Sequence, residues 1–299
     1  VHQANMHSTM MFFTEQGRLY WIKVYEIPEG NRQSKGRALQ NMINIQKGDK
    51  VCAFIHVKNL NDQEYVQNHY LIFATKNGLM KKTTLESYSR PRANGIIALG
   101  LREDDRLIRV TLTDGNSQML VASYNGKVVR FPEDTVRPMG RTATGVRAIK
   151  LDEDGKDRVI GMICVEEGSK ESVLVISEKG FGKRTDLDDE NGEPIYRVTN
   201  RGGKGVKTMN LTDKTGNLIG LEAVTDDQDL MLITKSGTAI RMAMDTIRVM
   251  GRATQGVRLI EVQKRNDTLM FGCTVPKEEA DEVAENTEAT AEVNQNNEE

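Results

Sequence analysis

One pattern written five times constrains this chain more than any other feature. MFFTEQGRLYWIKV, LIFATKNGLMKKTT, MLVASYNGKVVRFP, VLVISEKGFGKRTD and MLITKSGTAIRMAM each hold an apolar run, a short polar turn, a glycine and a second run carrying a basic residue. The anchoring glycines are Gly17, Gly78, Gly126, Gly180 and Gly237, at steps of 61, 48, 54 and 57 residues. A polar residue and then glycine between two β-prone runs reads as a tight hairpin, because the turn needs positive φ.

Each unit continues into a loop with a second glycine: SKGRALQNM, RANGIIALG, RTATGVRAI, RGGKGVKTM and RATQGVRLI, at Gly36, Gly95, Gly145, Gly205 and Gly256. A third strand follows, then a fourth that usually opens at an acidic turn, as in DKVCAFIHV, DRLIRVTLT and DRVIGMICV. Four short strands in every repeat of about 50 residues predict an all-β, propeller-like ring of four-stranded blades in one domain. The near absence of 3.6-residue periodicity argues against a helical solenoid. Trp21 is the only tryptophan, so the ring is not of the WD-repeat kind.

Charge divides the chain. Residues 276–299 hold nine acidic residues and one lysine and no aromatic residue, which predicts a disordered acidic tail behind a folded body at residues 1–275. The body then has 40 basic against 34 acidic residues, a net charge of +6, although the whole chain stands at −2. A basic body with an acidic tail points to a nucleic-acid partner. The tail either keeps the protein soluble or mimics DNA and competes for the basic surface. Cys52, Cys164 and Cys273 are spaced for neither metal nor redox chemistry and read as small core residues in a reducing cytosol. No secretion signal and no membrane-length apolar run is present.

The repeat places the cations. Four positions after the hairpin glycines stand Trp21, Lys82, Arg130, Arg184 and Arg241, with Lys127 and Lys183 in the same strands. Two positions after the loop glycines stand Arg147, Lys207 and Arg258, while Arg37 follows Gly36 directly. Lys35, Arg90, Arg92, Arg141, Arg201, Lys204 and Arg252 flank the loops. Any one of these is an ordinary solvated residue; their recurrence at equivalent positions predicts a belt suited to evenly spaced phosphates. No comparable case exists for catalysis. His2, His7, His56 and His69 lack metal-ligand spacing, and there is no GxSxG elbow. The acidic turns DEDGKD, DDEN and TDDQD do not fit a calcium loop.

RGGKG, at Arg201, Gly202, Gly203, Lys204 and Gly205, is neither a P-loop nor a Rossmann fingerprint, since Val206 follows Gly205 and no helix is expected. The turn accounts for Gly205, which every repeat has, but not for the extra glycines beside two cations. The amides of a Gly-rich turn can form an anion-binding nest.

Taken together, MMFFTEQGRLYWIKVYEIPEG, NGLMKKT, NGKVVRF, GFGKRT, RGGKG and GRATQGV resemble the C-terminal DNA-wrapping domain of the bacterial DNA gyrase A protein, from about Asn5 to Val275. The resemblance implies a six-bladed β-pinwheel whose neighbouring repeats exchange strands and whose basic edge wraps duplex DNA. It implies a place in an A2B2 type IIA topoisomerase with gyrase B, in the bacterial cytoplasm at the nucleoid, biasing it toward negative supercoiling. The cleaving tyrosine, ATP and magnesium are expected elsewhere in that holoenzyme, with no cofactor in this chain. The family's hallmark box, close to QRRGGKG, belongs to its first repeat. Here five repeats are visible and the chain opens on Val1, so the full box is expected upstream; the partial box has Thr199 and Asn200 in place of Gln and Arg. Two other readings stay open: the equivalent C-terminal domain of topoisomerase IV, sensing DNA geometry, and a protein-binding propeller.

Overall fold

The computed structural model describes residues 5–30, 36–153, 155–262 and 267–277; Lys35 and the acidic tail beyond Lys277 lie outside them. The first repeat supplies β1 (Thr9–Thr14), β2 (Arg18–Lys23) and β3 (Val51–Val57). A short helix α1 (Gln63–Asn68) leads into β4 (Tyr70–Thr75), β5 (Leu79–Thr84), β6 (Ile96–Ile97) and β7 (Leu107–Thr113). The third repeat holds β8 (Gln118–Ser123), β9 (Lys127–Pro132), β10 (Val146–Arg147) and β11 (Val159–Val165). The fourth holds β12 (Ser172–Ser177), β13 (Phe181–Asp186), β14 (Val206–Lys207) and β15 (Leu218–Val224). The fifth holds β16 (Gln228–Thr234), β17 (Ala239–Ala243), β18 (Val257–Arg258) and β19 (Leu269–Pro276). Helix α1 is too short to show periodicity in the sequence; its sign is Asp62, whose carboxylate accepts from the Tyr65 amide at 3.0 Å.

The strands form five antiparallel blades in a propeller-like ring. Their orders are β3-β1-β2-β6, β7-β4-β5-β10, β11-β8-β9-β14, β15-β12-β13-β18 and β19-β16-β17. The inner strands β3, β7, β11, β15 and β19 pack one against the next. The two-residue outer strand of each of the first four blades comes from the following repeat, so the repeats exchange strands as the resemblance implies. Each of the second to fifth repeats has the expected four strands, keeping three for its own blade and lending one to the blade before it.

The exchange follows one hydrogen-bond scheme. The amides of Ala98, Ala148, Thr208 and Leu259 donate to the carbonyls of Gly17, Gly78, Gly126 and Gly180, all at 2.8–2.9 Å. The hairpin glycines have φ between 75° and 88°, as the sequence predicts. The loop glycines are fixed by the crossing itself: a Cβ on Gly145 would lie 2.4 Å from the Met80 carbonyl oxygen, and one on Gly205 2.5 Å from that of Val128. Gly36 meets nothing within 4 Å. Leu39, Met42 and Ile43 of that first loop cover Tyr20 and Ile22 on their own blade.

Apolar layers fill the spaces between successive blades, so most strands are buried on both faces. Phe13 and Phe73 meet edge to face at 5.6 Å between the first two blades. Leu120, Val173 and Tyr196 lie between the third and fourth, and Leu174 and Leu230 between the fourth and fifth. Among the described residues, no helix is long and apolar enough to cross a membrane.

Gly145→Ala combines a Cβ clash with φ of 95° and is expected to cost about 2–4 kcal/mol, read by denaturant unfolding. Gly140→Ala, five residues away with nothing within 4 Å, is expected to shift stability by less than about 0.5 kcal/mol. Equal effects would contradict the crossing geometry.

Candidate nucleic-acid interface

The crossing loops form the outer rim, and consecutive loops are hydrogen-bonded to one another. The Gly100 amide donates to the Ala143 carbonyl at 3.3 Å, Lys150 to Gly203 at 2.8 Å and Asn210 to Thr254 at 2.9 Å. Arginines reinforce the band. Arg201 donates through Nε to the Thr135 carbonyl (3.1 Å) and through Nη1 to that of Arg147 (3.4 Å). Arg252 donates likewise to the carbonyls of Ile195 and Lys207, both at 3.1 Å.

The rim carries one sign of charge. Residues 88–101, 136–150, 196–210 and 247–260 contain no aspartate or glutamate. Of the sequence-predicted residues, Arg92, Arg147, Arg201, Lys204, Lys207 and Arg258 are exposed there, and Arg37 is exposed on the first loop. Arg258 is ion-paired with Glu261, and the Lys207 ammonium lies 3.5 Å from Asn210 Oδ1. The sequence reading passed over Arg137, Arg197 and Arg248, all exposed and each eight residues before its loop glycine, and the exposed Lys150. Aligning the loops by those glycines would have found the three arginines.

The belt expected from the hairpin strands does not reach the rim. Lys82, Arg130, Lys183 and Arg184 are no more than 6% exposed. Lys82 pairs with the buried Glu133 at 2.7 Å and lies over the Tyr70 ring. Arg130 donates to the carbonyls of Leu187 and Tyr196 and to Asp188 Oδ1 at 2.8 Å. Arg184 donates to the Ile247 carbonyl at 2.8 Å and pairs with Asp226. In the first blade Trp21 holds the same slot, donating from Nε1 to the Tyr88 carbonyl at 3.2 Å. These side chains clamp each blade to the repeat crossing it. Arg241 is bonded to Asp229 and the Pro276 carbonyl, Lys127 is ion-paired with Asp152, and Arg141 and Arg252 are half-buried.

Lys183 and the equivalent Lys81 are of a different kind, both fully buried beneath rim loops. Lys81 Nζ donates to the carbonyls of Ala98 and Arg141, both at 2.5 Å, and lies 3.3 Å from the Tyr88 hydroxyl. Lys183 Nζ donates to the Gly251 carbonyl at 2.6 Å and to Thr254 Oγ1 at 3.1 Å. Burial, and then Arg141, brings the Lys81 pKa down to about 7; burial and then Arg252 bring Lys183 down to about 8. The third blade has Val129 at this position, directly under RGGKG, and a hollow of about 160 Å³ there is lined by Val129, Arg130, Arg197, Asn200 and Lys204.

RGGKG itself divides by function in the turn. Gly205 is required by the crossing, and Gly202 has φ of 81°. Gly203 has neither constraint: a Cβ there would meet nothing nearer than 3.8 Å. Like Ala143 and Thr254, its equivalents, Gly203 closes a tight turn, here over Arg201 and Gly202, and its carbonyl accepts from the Lys150 amide at 2.8 Å. The three thiols are half-buried, and desolvation raises each of them, Cys52 to about 12.

A ring of strand-exchanging blades with a single-signed rim defines a β-pinwheel. A sequence profile described as DNA gyrase C-terminal domain, beta-propeller, matches residues 8–58, 69–114, 118–166, 171–225 and 228–271, one match per repeat, and the chain belongs to this family. Among curated relatives, the DNA gyrase A protein of Staphylococcus aureus strain MRSA252 is 42% identical over 284 residues, 95% of this chain and 30% of the relative. The strain NCTC 8325 protein of the same name is 41% identical over 97% of this chain and 31% of its own length. The chain thus spans about 30% of the length of these relatives. Among solved structures, the C-terminal domain of DNA topoisomerase IV superposes with a TM-score of 0.79 at 23% identity, covering 96% of this chain and 85% of that one. The DNA gyrase A C-terminal domain gives 0.73 at 22%, covering 91% and 83%. These two likenesses bear on the fold.

Lys82→Ala is expected to cost about 3–5 kcal/mol by leaving Glu133 buried without its partner, while Lys204→Ala on the exposed rim leaves unfolding unchanged within about 0.5 kcal/mol. Lys81 and Lys183 add a pH dependence. Their folded pKa values lie below the unfolded 10.5, so the unfolded chain binds more protons over the window from about 7 to 10.5. Stability is therefore lowest below about pH 7 and rises with pH through that window. Thermal denaturation at constant ionic strength checks it, with a flatter profile for Lys81→Met.

Proposed function

We propose that this chain is the DNA-wrapping module of a DNA gyrase A protein, with the body at residues 1–275 binding duplex backbone along its rim. The observation that carries this reading is the rim itself: cations recur at equivalent positions on successive loops, and those loops hold no carboxylate. Phosphates spaced along a duplex favour such an array irrespective of base sequence. The interface comprises Arg137, Arg147, Lys150, Arg197, Arg201, Lys204, Lys207, Arg248 and Arg258, with Arg92 and Arg37 on the earlier loops. Sharply bending a 20–30 bp site costs on the order of 1–6 kcal/mol, so several contacts must act together to offset it.

In this reading the module works with the rest of gyrase A and with gyrase B, where strand cleavage, ATP and magnesium belong, and a wrapped segment biases strand passage toward negative supercoiling. Sequence identity of 42% to gyrase A across all five repeats supports gyrase over topoisomerase IV, whose likeness is in fold at 23% identity. The Lys82, Arg130 and Arg184 clamps hold the rim in shape without contacting DNA. The acidic tail of this reading begins after Pro276 and Lys277, since Pro276 pairs in β19 and Lys277 is ion-paired with Asp245.

The test is titration with duplexes of different length at several salt concentrations. Long duplex is expected to bind tighter than short, with a slope of log K against log salt of about −4 to −6. Replacing Arg201, Lys204 and Lys207 together by alanine is expected to reduce that slope by about 2–3. Affinity indifferent to salt would exclude the rim as a phosphate-binding surface.

A further inference from the structure

The clamps of the hairpin strands are neutralised: Lys82, Arg130 and Arg184 each face a carboxylate. Lys81 and Lys183 are buried as deeply and, among the described residues, pair with none. Around Lys81 stand the Ala98 and Arg141 carbonyls, the Tyr88 hydroxyl, the face of the Phe73 ring at 4.7 Å and, as its charged neighbour, the Arg141 guanidinium. Around Lys183 stand the Gly251 carbonyl, the Thr254 hydroxyl and the Arg252 guanidinium, which the Tyr196 phenol also faces. Both ammonium groups therefore hold rim loops from inside through neutral acceptors, and both sit beside a second positive charge.

Resting on the duplex reading above, we propose that Lys81 and Lys183 are positioning residues beneath the rim whose charge is balanced by the bound DNA, so that duplex binding is coupled to proton uptake. The physical basis is the low dielectric around buried groups, where a charge is felt strongly by neighbours at the surface. A phosphate on the loop above stabilises the ammonium form. The free chain holds Lys81 near pH 7 and Lys183 near pH 8, so near neutrality and above each is partly deprotonated until DNA arrives. Deprotonation removes the charge that strengthens the bonds to the Arg141 and Gly251 carbonyls and so weakens the hold on the loops carrying Arg147 and Arg258.

The experiment is calorimetric titration of the 299-residue chain with long duplex DNA from about pH 6.5 to 9.5 at fixed ionic strength, in two buffers of different ionisation enthalpy. Proton uptake on binding is expected to peak between about pH 7 and 9, with affinity falling about tenfold across that span. Lys81→Arg with Lys183→Arg keeps the charges but does not titrate, and is expected to retain affinity while losing the pH slope. Lys81→Met with Lys183→Met is expected to bind more weakly at neutral pH and also without slope. Salt-dependent binding without proton uptake, or an unchanged slope in the arginine pair, would overturn this proposal alone. Absence of binding at every pH would overturn the duplex reading and this proposal with it.

Discussion

Everything in this ring depends on one contact, the passage of each repeat's loop across the third strand of the blade before it. The amide three residues after the loop glycine finds the carbonyl of the preceding hairpin glycine in all four crossings. The contact is close enough that a side chain at the loop glycine would enter the backbone below it. Because the fourth strand is borrowed, no crossed blade completes its own sheet, and stability resides in pairs of neighbours rather than in single repeats. The clamps from Trp21, Arg130 and Arg184 to carbonyls of the next repeat follow that logic with side chains.

The same crossing sorts the charges. A loop that lies over a blade has one side against backbone and the other in solvent, so its outward residues are free to carry one sign. Within the blades Lys82 and Arg130 are desolvated and depend on Glu133 and Asp188, because an unpaired buried charge costs several kcal/mol. Carboxylates gather accordingly at the turns between inner strands and beside the clamps, leaving the exchanged segments basic. Segregation of charge is thus a consequence of the exchange topology, and it converts a weakly charged body into one with a sharply defined edge.

The repeat made the fold legible: five hairpins, five loop glycines and the ring all follow from the spacing. RGGKG and the cations two residues after the loop glycines were legible too. What misled was the strand pattern. In β5 and β13 nearly every residue is buried, since each blade is covered on both faces, and period-two alternation no longer separates inside from outside. Lys82, Arg130, Lys183 and Arg184 therefore read as rim residues when they are interior ones. Arg137, Arg197 and Arg248 escaped notice for the opposite reason: they precede the glycine motif and belong to no predicted strand.

The fourth loop shows how the fold and the site can be told apart within five residues. Loops three and five are tied down by an amide-to-carbonyl bond at Ala143 or Thr254 and from below by Lys81 or Lys183. Over the third blade the lysine is Val129, so the tie from below is missing, while the turn that ends at Gly203 is kept. The loop keeps its crossing through Gly205, its bond to the Ala148 carbonyl through Gly202 and its bond from the Lys150 amide through the Gly203 carbonyl, so it is held without the lysine from below. Glycine at position 203 serves no need of packing or backbone angle, and it sits between Arg201 and Lys204 at the surface. A glycine that neither packing nor backbone angle requires leaves the backbone between two exposed cations uncovered by any side chain of its own. The fold thus accounts for Gly202 and Gly205 by backbone angle and crossing and leaves Gly203 unconstrained by either, although all three are identical in the sequence.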